Sequence, residues 1–163
     1  MKKSFTVVEL MIVVAILGIL AAASLPVLQG HITAAKEAAA KDNLRILRTV
    51  IQHYAAEHNS MPPGYINGNP IPEIMYPNQF LEYTDSIGSV AFTKSEQFCY
   101  GPYLNSIPEN PFNNKNTITR VPENDPFPDS ATGTYGWLYK PQDQEIRLDW
   151  PGTDKKGVRY YDY

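Results

Sequence analysis

SFTVVELMIVVAILGILAAASLPVL is the most distinctive stretch of this chain and covers residues Ser4 to Leu28. Apart from Glu9, every residue from Phe5 to Leu28 is apolar, small or hydroxylated. As one helix this stretch would extend about 36 Å, which is enough to cross the hydrocarbon core of a bilayer. The sequence therefore predicts a hydrophobic transmembrane helix over residues 5–28.

Glu9 is the exception to the apolar pattern. An ionised carboxylate within a bilayer costs roughly 2.5 to 3.5 kcal/mol even on lenient insertion scales. The stretch itself contains no cation that could pair with it. We therefore expect the partner of Glu9 to come from outside the stretch, and a positive charge on another copy of the same chain would serve.

The N-terminus resembles that of type IV pilins and type II secretion pseudopilins. Precursors in that family carry a short basic leader and then Phe-Thr-x-x-Glu at the start of an apolar helix; here the leader is MKKS (1–4) and the helix begins FTVVELMIVVAILGILAAA. The resemblance implies that a prepilin peptidase cuts between Ser4 and Phe5 and methylates the new amine of Phe5. It also implies that Glu9 contacts a subunit amine during assembly. Family members usually have Gly before the cut, where this chain has Ser4.

The resemblance also concerns the middle of the helix. Gly18 and Pro26 fall where family members often have a glycine and a proline that let the helix bend or melt. Two other interpretations of the segment are an ordinary secretory signal, with Lys2 and Lys3 before an apolar run, and a plain N-terminal anchor. Neither interpretation accounts for a carboxylate within the apolar run.

Length, charge and cysteine content limit the remaining possibilities. The 163 residues provide for one membrane helix and one domain of about 100 residues. The net charge is −3, so nucleic acid is not expected as the primary partner, because affinity for phosphates depends on clustered Lys and Arg. Cys99 is the only cysteine, which excludes an internal disulfide. We expect it to be a small buried or half-buried residue.

The spacing of apolar residues in 29–59 predicts an amphipathic continuation of the helix into the head. Apolar or aromatic residues recur every three or four positions, at Leu28, Ile32, Ala35, Ala39, Leu44, Leu47, Ile51, Tyr54 and His58. The sequence NSMPPG (59–64) ends the helix, because proline cannot continue it. His53 and Glu57 lie four residues apart and could hold a metal or act as acid and base, but no third ligand accompanies them at a zinc-binding spacing.

The sequence of residues 60–163 predicts a globular head in two parts. Residues 60–116 are rich in Pro, Asn and Gly, which indicates a long irregular loop held to the helix and sheet by short apolar patches at 74–76, 80–83 and 90–92. In the β-sheet region, 117–163, the alternating runs TYGWLYK (134–140) and QEIRLDW (144–150) predict an antiparallel hairpin. Further strands are expected at 117–121 and 158–161.

The predicted fold class is therefore α+β. A long N-terminal helix packs on a small C-terminal antiparallel sheet, with the irregular loop between them, as the resemblance to pilins implies. The segment GPYLNSIPENPFNN (101–114) resembles a segment of major pseudopilins and favours the secretion branch. Because major pseudopilins bind calcium in their C-terminal loop, Asp149 and Asp154 are the first candidates for calcium ligands, although their spacing is not that of an EF-hand.

These observations predict a structural protein and not an enzyme. The chain would polymerise with itself, through its N-terminal helix, into a type IV pilus-like filament or a type II secretion pseudopilus. The resemblance implies storage in the bacterial inner membrane with the head in the periplasm, delivery by an inner-membrane assembly platform, and a periplasmic or extracellular filament. The alternatives are a minor pilin that caps or primes a filament, or a membrane-anchored or exported periplasmic binding domain or enzyme. No catalytic motif favours an enzyme.

Overall fold

The computed structural model describes residues 6–163, apart from the side chains of residues 23–27. The chain divides into two compact units, Met1–Lys36 and Glu37–Tyr163, and the helix α1 (Val7–Glu57) contributes to both. The helix ends one residue before the predicted end at His58. There the backbone N–H of Ser60, which has a positive φ of 65°, donates to the carbonyl of Ala55 and closes the last turn.

The elements after α1 are short. In chain order they are β1 (Tyr65–Ile66), β2 (Asn69–Pro70), a 3-10 turn (Glu73–Met75), α2 (Tyr76–Leu81), β3 (Tyr83–Thr84), β4 (Val90–Ala91), β5 (Ile118–Arg120), β6 (Trp137–Lys140), a 3-10 turn (Pro141–Asp143), β7 (Glu145–Leu148) and a 3-10 turn (Tyr160–Asp162). Prolines and asparagines between these elements leave most of residues 60–116 irregular, as predicted.

One face of α1 forms the core of the second unit. The residues on this face recur every three or four positions and are at most 1% exposed: Ala40, Leu44, Leu47, Ile51 and Tyr54. The first part of the predicted face is wrong: Ala39 is exposed and Ala40 is buried in its place, and three earlier positions are exposed as well, at Leu28, Ile32 and Ala35. Ala40 lies one turn before Leu44, so it shares the buried face.

The three-stranded sheet β5-β6-β7 covers this face of α1. β6 and β7 form the predicted antiparallel hairpin, with Trp137 opposite Leu148 and Tyr139 opposite Ile146. All four side chains are fully buried in the cluster that contains the α1 face. The predicted strand at 117–121 is present as β5, but it pairs with β6 in the parallel direction.

The predicted strand at 158–161 is wrong. Tyr160–Asp162 form a 3-10 turn, and the guanidinium of Arg159 binds the carboxylate of Asp162 three residues later, at 2.6 Å. Tyr160 and Tyr161 are 7% and 3% exposed. Consecutive residues of a strand face opposite sides, so a helical turn buries this adjacent pair more readily than a strand at the edge of a sheet.

The irregular loop is held to the core by fewer residues than predicted. Tyr76 and Phe80 of α2 are fully buried in the cluster with α1 and the sheet. Ile74 and Phe92, which were expected to pack, are 85% and 77% exposed. The α+β fold is confirmed as a long helix packed in its second part on a small sheet.

Candidate functional site

The start of α1 forms a reciprocal cap between Thr6 and Glu9. The backbone N and the Oγ1 of Thr6 each donate to Oε2 of Glu9 at 2.8 Å, and the backbone N of Glu9 donates to Oγ1 of Thr6 at 3.2 Å. This is the capping box that Thr-x-x-Glu favours at a helix N-terminus, and the carboxylate lies at the positive end of the helix dipole. Thr6 therefore supplies Glu9 with hydrogen bonds from within the stretch but with no charge, and a cation from outside the stretch stays a prediction.

The capping box occupies only one oxygen of the Glu9 carboxylate. Both bonds from Thr6 end on Oε2, and Oε1 accepts no hydrogen bond from any described residue. A carboxylate can accept on both oxygens, with about four lone-pair sites in total. Glu9 can thus hold its own helix start and still bind an amine from elsewhere.

Between Leu10 and Leu20, α1 is apolar on all sides. The large apolar side chains between Val7 and Leu20 are between 46% and 71% exposed. A helix that is hydrophobic all round is normally buried, in a core or a membrane, and a contiguous exposed apolar surface marks a site of contact with other molecules. In the described part of the chain, however, no helix has both the length and the apolarity needed to cross a membrane.

Four other predicted residues belong to this region. The cleavage residues Ser4 and Phe5 lie outside the described residues. α1 runs without a break past Gly18 and Pro26, and a Cβ added at Gly18 would meet no atom within 4 Å. No packing in the single chain requires a glycine there, and bending or melting of the helix in a filament stays a prediction.

Asp149 organises a loop of the head. Its side chain is fully buried just after β7, and its carboxylate accepts hydrogen bonds from the backbone N of Thr132 at 2.7 Å, of Gly133 at 3.1 Å and of Tyr135 at 2.8 Å. The Thr132 hydroxyl donates to Oδ2 at 3.1 Å. Such charge-assisted bonds are stronger than neutral ones, so Asp149 fixes residues 132–135 against the sheet.

Asp154 organises the turn that follows. Its Oδ1 accepts from the backbone N of Lys156 at 2.8 Å and of Val158 at 3.0 Å, and its Oδ2 accepts from the hydroxyl of Tyr163 at 3.0 Å and lies 3.9 Å from Nζ of Lys41. Desolvation acts to raise the pKa of this carboxyl. The hydrogen bonds and the lysine outweigh that effect and lower the pKa below its ordinary value.

These contacts do not fit a calcium site at Asp149 and Asp154. The oxygens of both carboxylates face N–H and O–H donors, whereas a calcium ion needs six to eight oxygen ligands around it. Nor do the described residues contain any group of three or more His, Cys, Asp or Glu side chains that could hold a metal. Calcium binding stays a prediction that the local geometry does not support.

The pair His53 and Glu57 forms as its spacing predicts. Nε2 of His53 lies 3.6 Å from Oε1 of Glu57, and the histidine side chain is 63% exposed. Glu57 also accepts a hydrogen bond from the hydroxyl of Tyr103. No third metal-ligating residue joins the pair in the part of the chain that the structure describes.

His58, the residue that follows α1, is fully buried. Its Nδ1 lies 2.7 Å from the carbonyl oxygen of Tyr54 and its Nε2 lies 2.9 Å from Oγ1 of Thr84. A carbonyl only accepts, so Nδ1 carries the proton and Nε2 accepts from the threonine hydroxyl. Burial lowers the pKa of His58 and favours the neutral ring.

The prediction that Cys99 is buried is wrong, because the thiol is exposed. The backbone of its neighbour Tyr100 pairs with Thr84. In extended backbone, successive side chains face opposite sides, so Phe98 and Tyr100 are half-buried while Cys99 faces solvent. Cys99 lines a cavity of about 320 Å³ together with His53 and Glu57.

The attachment of the C-terminal segment to α1 was not predicted. The hydroxyl of Tyr160 donates to Glu37 at 3.0 Å, and Nζ of Lys41 lies 4.0 Å from the centre of the Tyr163 ring. Arg48 donates to the backbone oxygen of Tyr163 at 2.7 Å. The available signal was the four- and seven-residue spacing of these charges along the helix. These contacts hold the C-terminal segment in a chain that has no disulfide.

Comparison with known proteins identifies the N-terminal segment. Residues 1–25 match the family model described as the prokaryotic N-terminal methylation motif, which is the signature of type IV pilins and pseudopilins. No solved structure matches the chain. The motif supports a type IV pilin-like or pseudopilin protein, a class that is structural, membrane-anchored and processed by a prepilin peptidase.

Proposed function

We propose that this chain is a structural subunit that polymerises through the first part of α1 into a type IV pilus-like filament or a type II secretion pseudopilus. The observation that carries the proposal is the all-round exposure of the apolar side chains between Val7 and Leu20. A surface of that kind needs surroundings that the chain does not provide, and lipid before assembly and the helices of other copies afterwards would provide them.

Processing prepares the other half of the assembly contact. A cut between Ser4 and Phe5 removes Lys2 and Lys3 and creates an amine at Phe5, one residue before the capping residue Thr6. With Oε2 of Glu9 engaged by Thr6, the second oxygen, Oε1, is the acceptor we assign to the amine of a neighbouring subunit. Such a pair would be withdrawn from water among packed helices, where each charge requires its partner.

Glu9 is the residue to test. Breaking a buried ion pair by removing one partner typically costs about 3 to 5 kcal/mol, so Glu9→Ala should abolish filaments while the processed chain accumulates in the membrane. Glu9→Gln is the sharper variant, because its amide oxygen can still accept from Thr6 and cap the helix but carries no charge. Thr6→Ala is the matched control that weakens the cap and keeps the charge.

The measurement combines electron microscopy of cells that make the protein with mass spectrometry of its N-terminus. We expect filaments and a methylated Phe5 terminus in the wild type, few or no filaments with Glu9→Gln, and filaments with Thr6→Ala. Normal filaments with Glu9→Gln at equal expression would show that the charge has no role in assembly. A wild-type chain that keeps its leader and forms no filament would contradict the proposed function itself.

A further inference from the structure

A cavity of about 230 Å³ lies where the segment 121–135 passes over β5 and β6. Val121 and Leu138, which line it, are only 4% and 7% exposed. Pro122, Pro126 and Pro128 also line it, and although polar residues are present among the remainder, most of the lining surface is apolar. The cavity is therefore mainly apolar and is set into one side of the head.

The segment that lines this cavity is acidic. Residues 122–130, PENDPFPDS, contain Glu123, Asp125 and Asp129 and no Lys or Arg. Glu123 lies 2.8 Å from the guanidinium of Arg120, which neutralises the one arginine that lines the cavity. Asp125 also lines the cavity, and no lysine or arginine among the described residues pairs with it. An apolar cavity with an unpaired carboxylate suits an apolar side chain that is accompanied by a cation.

The same head carries such a group at Phe92. This side chain is 77% exposed immediately after β4. Lys94 follows two residues later, is also exposed, and pairs with no carboxylate among residues 6–163. Glu96 follows as well, but it lines a different cavity together with Asp85.

Charge distinguishes Phe92 from the other strongly exposed apolar side chain of the head. Ile74 is 85% exposed, but the residue before it is Glu73. A carboxylate beside Ile74 would be repelled by the acidic segment at the cavity, whereas Lys94 beside Phe92 would be attracted. Ile74 thus supplies a matched control.

We infer that Phe92 of one head inserts into this cavity of a second copy of the chain, with Lys94 placed against Asp125. This inference rests on the proposed filament. Neither Phe92 nor Lys94 lines the cavity, so two different patches of the head meet. A contact between unlike patches is heterologous and can repeat from copy to copy in an open filament, whereas a contact between like patches closes into a dimer.

An aromatic ring in a largely preformed apolar pocket is the kind of contact that dominates an interface, and the charge pair at its edge fixes register. The charge contribution should weaken as salt is raised, because exposed pairs are screened. The apolar contribution should persist. Heads joined in this way would add a second contact to that between the N-terminal helices.

The direct test is disulfide trapping in the full chain, in cells that make the protein and in a Cys99→Ala background. We expect Lys94→Cys combined with Asp125→Cys to form a ladder of dimers, trimers and longer multimers on mild oxidation, since each copy contributes two different cysteines. Either single variant should form no ladder. Glu73→Cys combined with Asp125→Cys is the control that places a cysteine beside Ile74.

Filament counts provide the second readout. Phe92→Ser should give roughly tenfold fewer or shorter filaments than the wild type, as expected for loss of a central aromatic contact, while Ile74→Ser should not differ from the wild type. Lys94→Glu and Asp125→Lys should each weaken filaments, and the double variant should restore them. Tryptophan fluorescence checks that the heads remain folded in every variant.

The possible outcomes test the head contact and the proposed filament separately. Wild-type filaments with no ladder, and with no effect of Phe92→Ser, would overturn the head contact and leave the proposed function in place. Dimers from a single-cysteine variant without a ladder would show a closed contact between like patches and would also overturn it. A ladder without visible filaments would support the head contact and contradict the filament, and absence of both would contradict both.

Discussion

The two parts of α1 differ in what surrounds their side chains. From Leu10 to Leu20 the helix is apolar around its whole circumference and its side chains are exposed, whereas from Ala40 to Tyr54 one stripe is buried and the other faces are polar. The second part packs on the chain's own sheet, and the first part has no counterpart of its own among the described residues. A single chain can therefore complete its head, but the apolar surface at the start of α1 must be completed by other molecules.

Polar groups differ between the two units in the same way. Near the N-terminus, Glu9 bonds to Thr6 three residues away. In the head, buried polar side chains join segments that are distant in sequence, as Gln79 does when it accepts from the backbone N of Gly64 at 2.6 Å and donates to the carbonyl of Gly88 at 2.8 Å. Local bonds define a helix end, while bonds of the second kind hold a loop-rich head together.

Truncating one leucine in each part of α1 should give the largest difference in the free energy of unfolding. Leu47→Ala removes a fully buried side chain from the head, and we expect the free energy of unfolding to fall by about 2 to 5 kcal/mol. Leu17→Ala truncates a side chain that is 59% exposed and should leave that free energy nearly unchanged. Urea unfolding of the full chain in detergent, followed by the fluorescence of Trp137 and Trp150, measures both. Equal effects would contradict the division of roles.

Asp149→Asn should have the next largest effect. The amide replaces a charged acceptor that faces three backbone N–H groups, and we expect a loss of about 3 kcal/mol. Asp143→Asn is the control, because that carboxylate is 50% exposed and pairs only with Lys140. Added calcium should leave the wild-type midpoint unchanged; a rise with calcium that Asp149→Asn abolishes would revive a metal role for this residue.

Replacing a glycine by alanine should have opposite effects on stability in the two units. At Gly136 an added Cβ would lie 2.3 Å from the backbone oxygen of Lys115, so Gly136→Ala should destabilise the head by about 1 to 3 kcal/mol. At Gly18 the added Cβ meets nothing, so Gly18→Ala should stabilise the helix by about 1 kcal/mol. Urea unfolding reports the first change, and helix content by circular dichroism reports the second. Loss of filaments with Gly18→Ala, despite a more stable helix, would show that assembly requires the helix to melt or bend there.

The smallest effect concerns pH and His58, the residue that follows α1. Burial lowers the pKa of His58 in the folded chain, and the carboxylates of Glu57 and Asp85 counter this only in part. The unfolded chain therefore binds a proton more readily, so stability is full above about pH 6.5 and falls as the pH decreases below that value. The urea midpoint should drop between about pH 7.5 and about pH 5.5, less so in His58→Gln. An unchanged slope in His58→Gln would assign the effect to another group.

Features that depend on neighbours along the chain could be predicted from the sequence. The apolar stretch, the Thr6-x-x-Glu9 spacing, the buried stripe from Leu44 to His58 and the β6-β7 hairpin all follow from periodicity and turn residues, which act over a few positions. The cleavage and assembly residues came from the N-terminal motif, which is likewise continuous in sequence.

Features that depend on contacts between distant segments could not be predicted from the sequence and are visible only in the folded chain. The parallel direction of β5, the exposure of Cys99 and Phe92, and the use of Asp149 to hold a loop have no local signature, since each depends on which backbone passes beside the residue. The same limit applies to the attachment of Tyr160 and Tyr163 to α1. Local patterns predict which residues prefer to be buried or charged, but only the folded chain determines which donors, rings and carboxylates face one another.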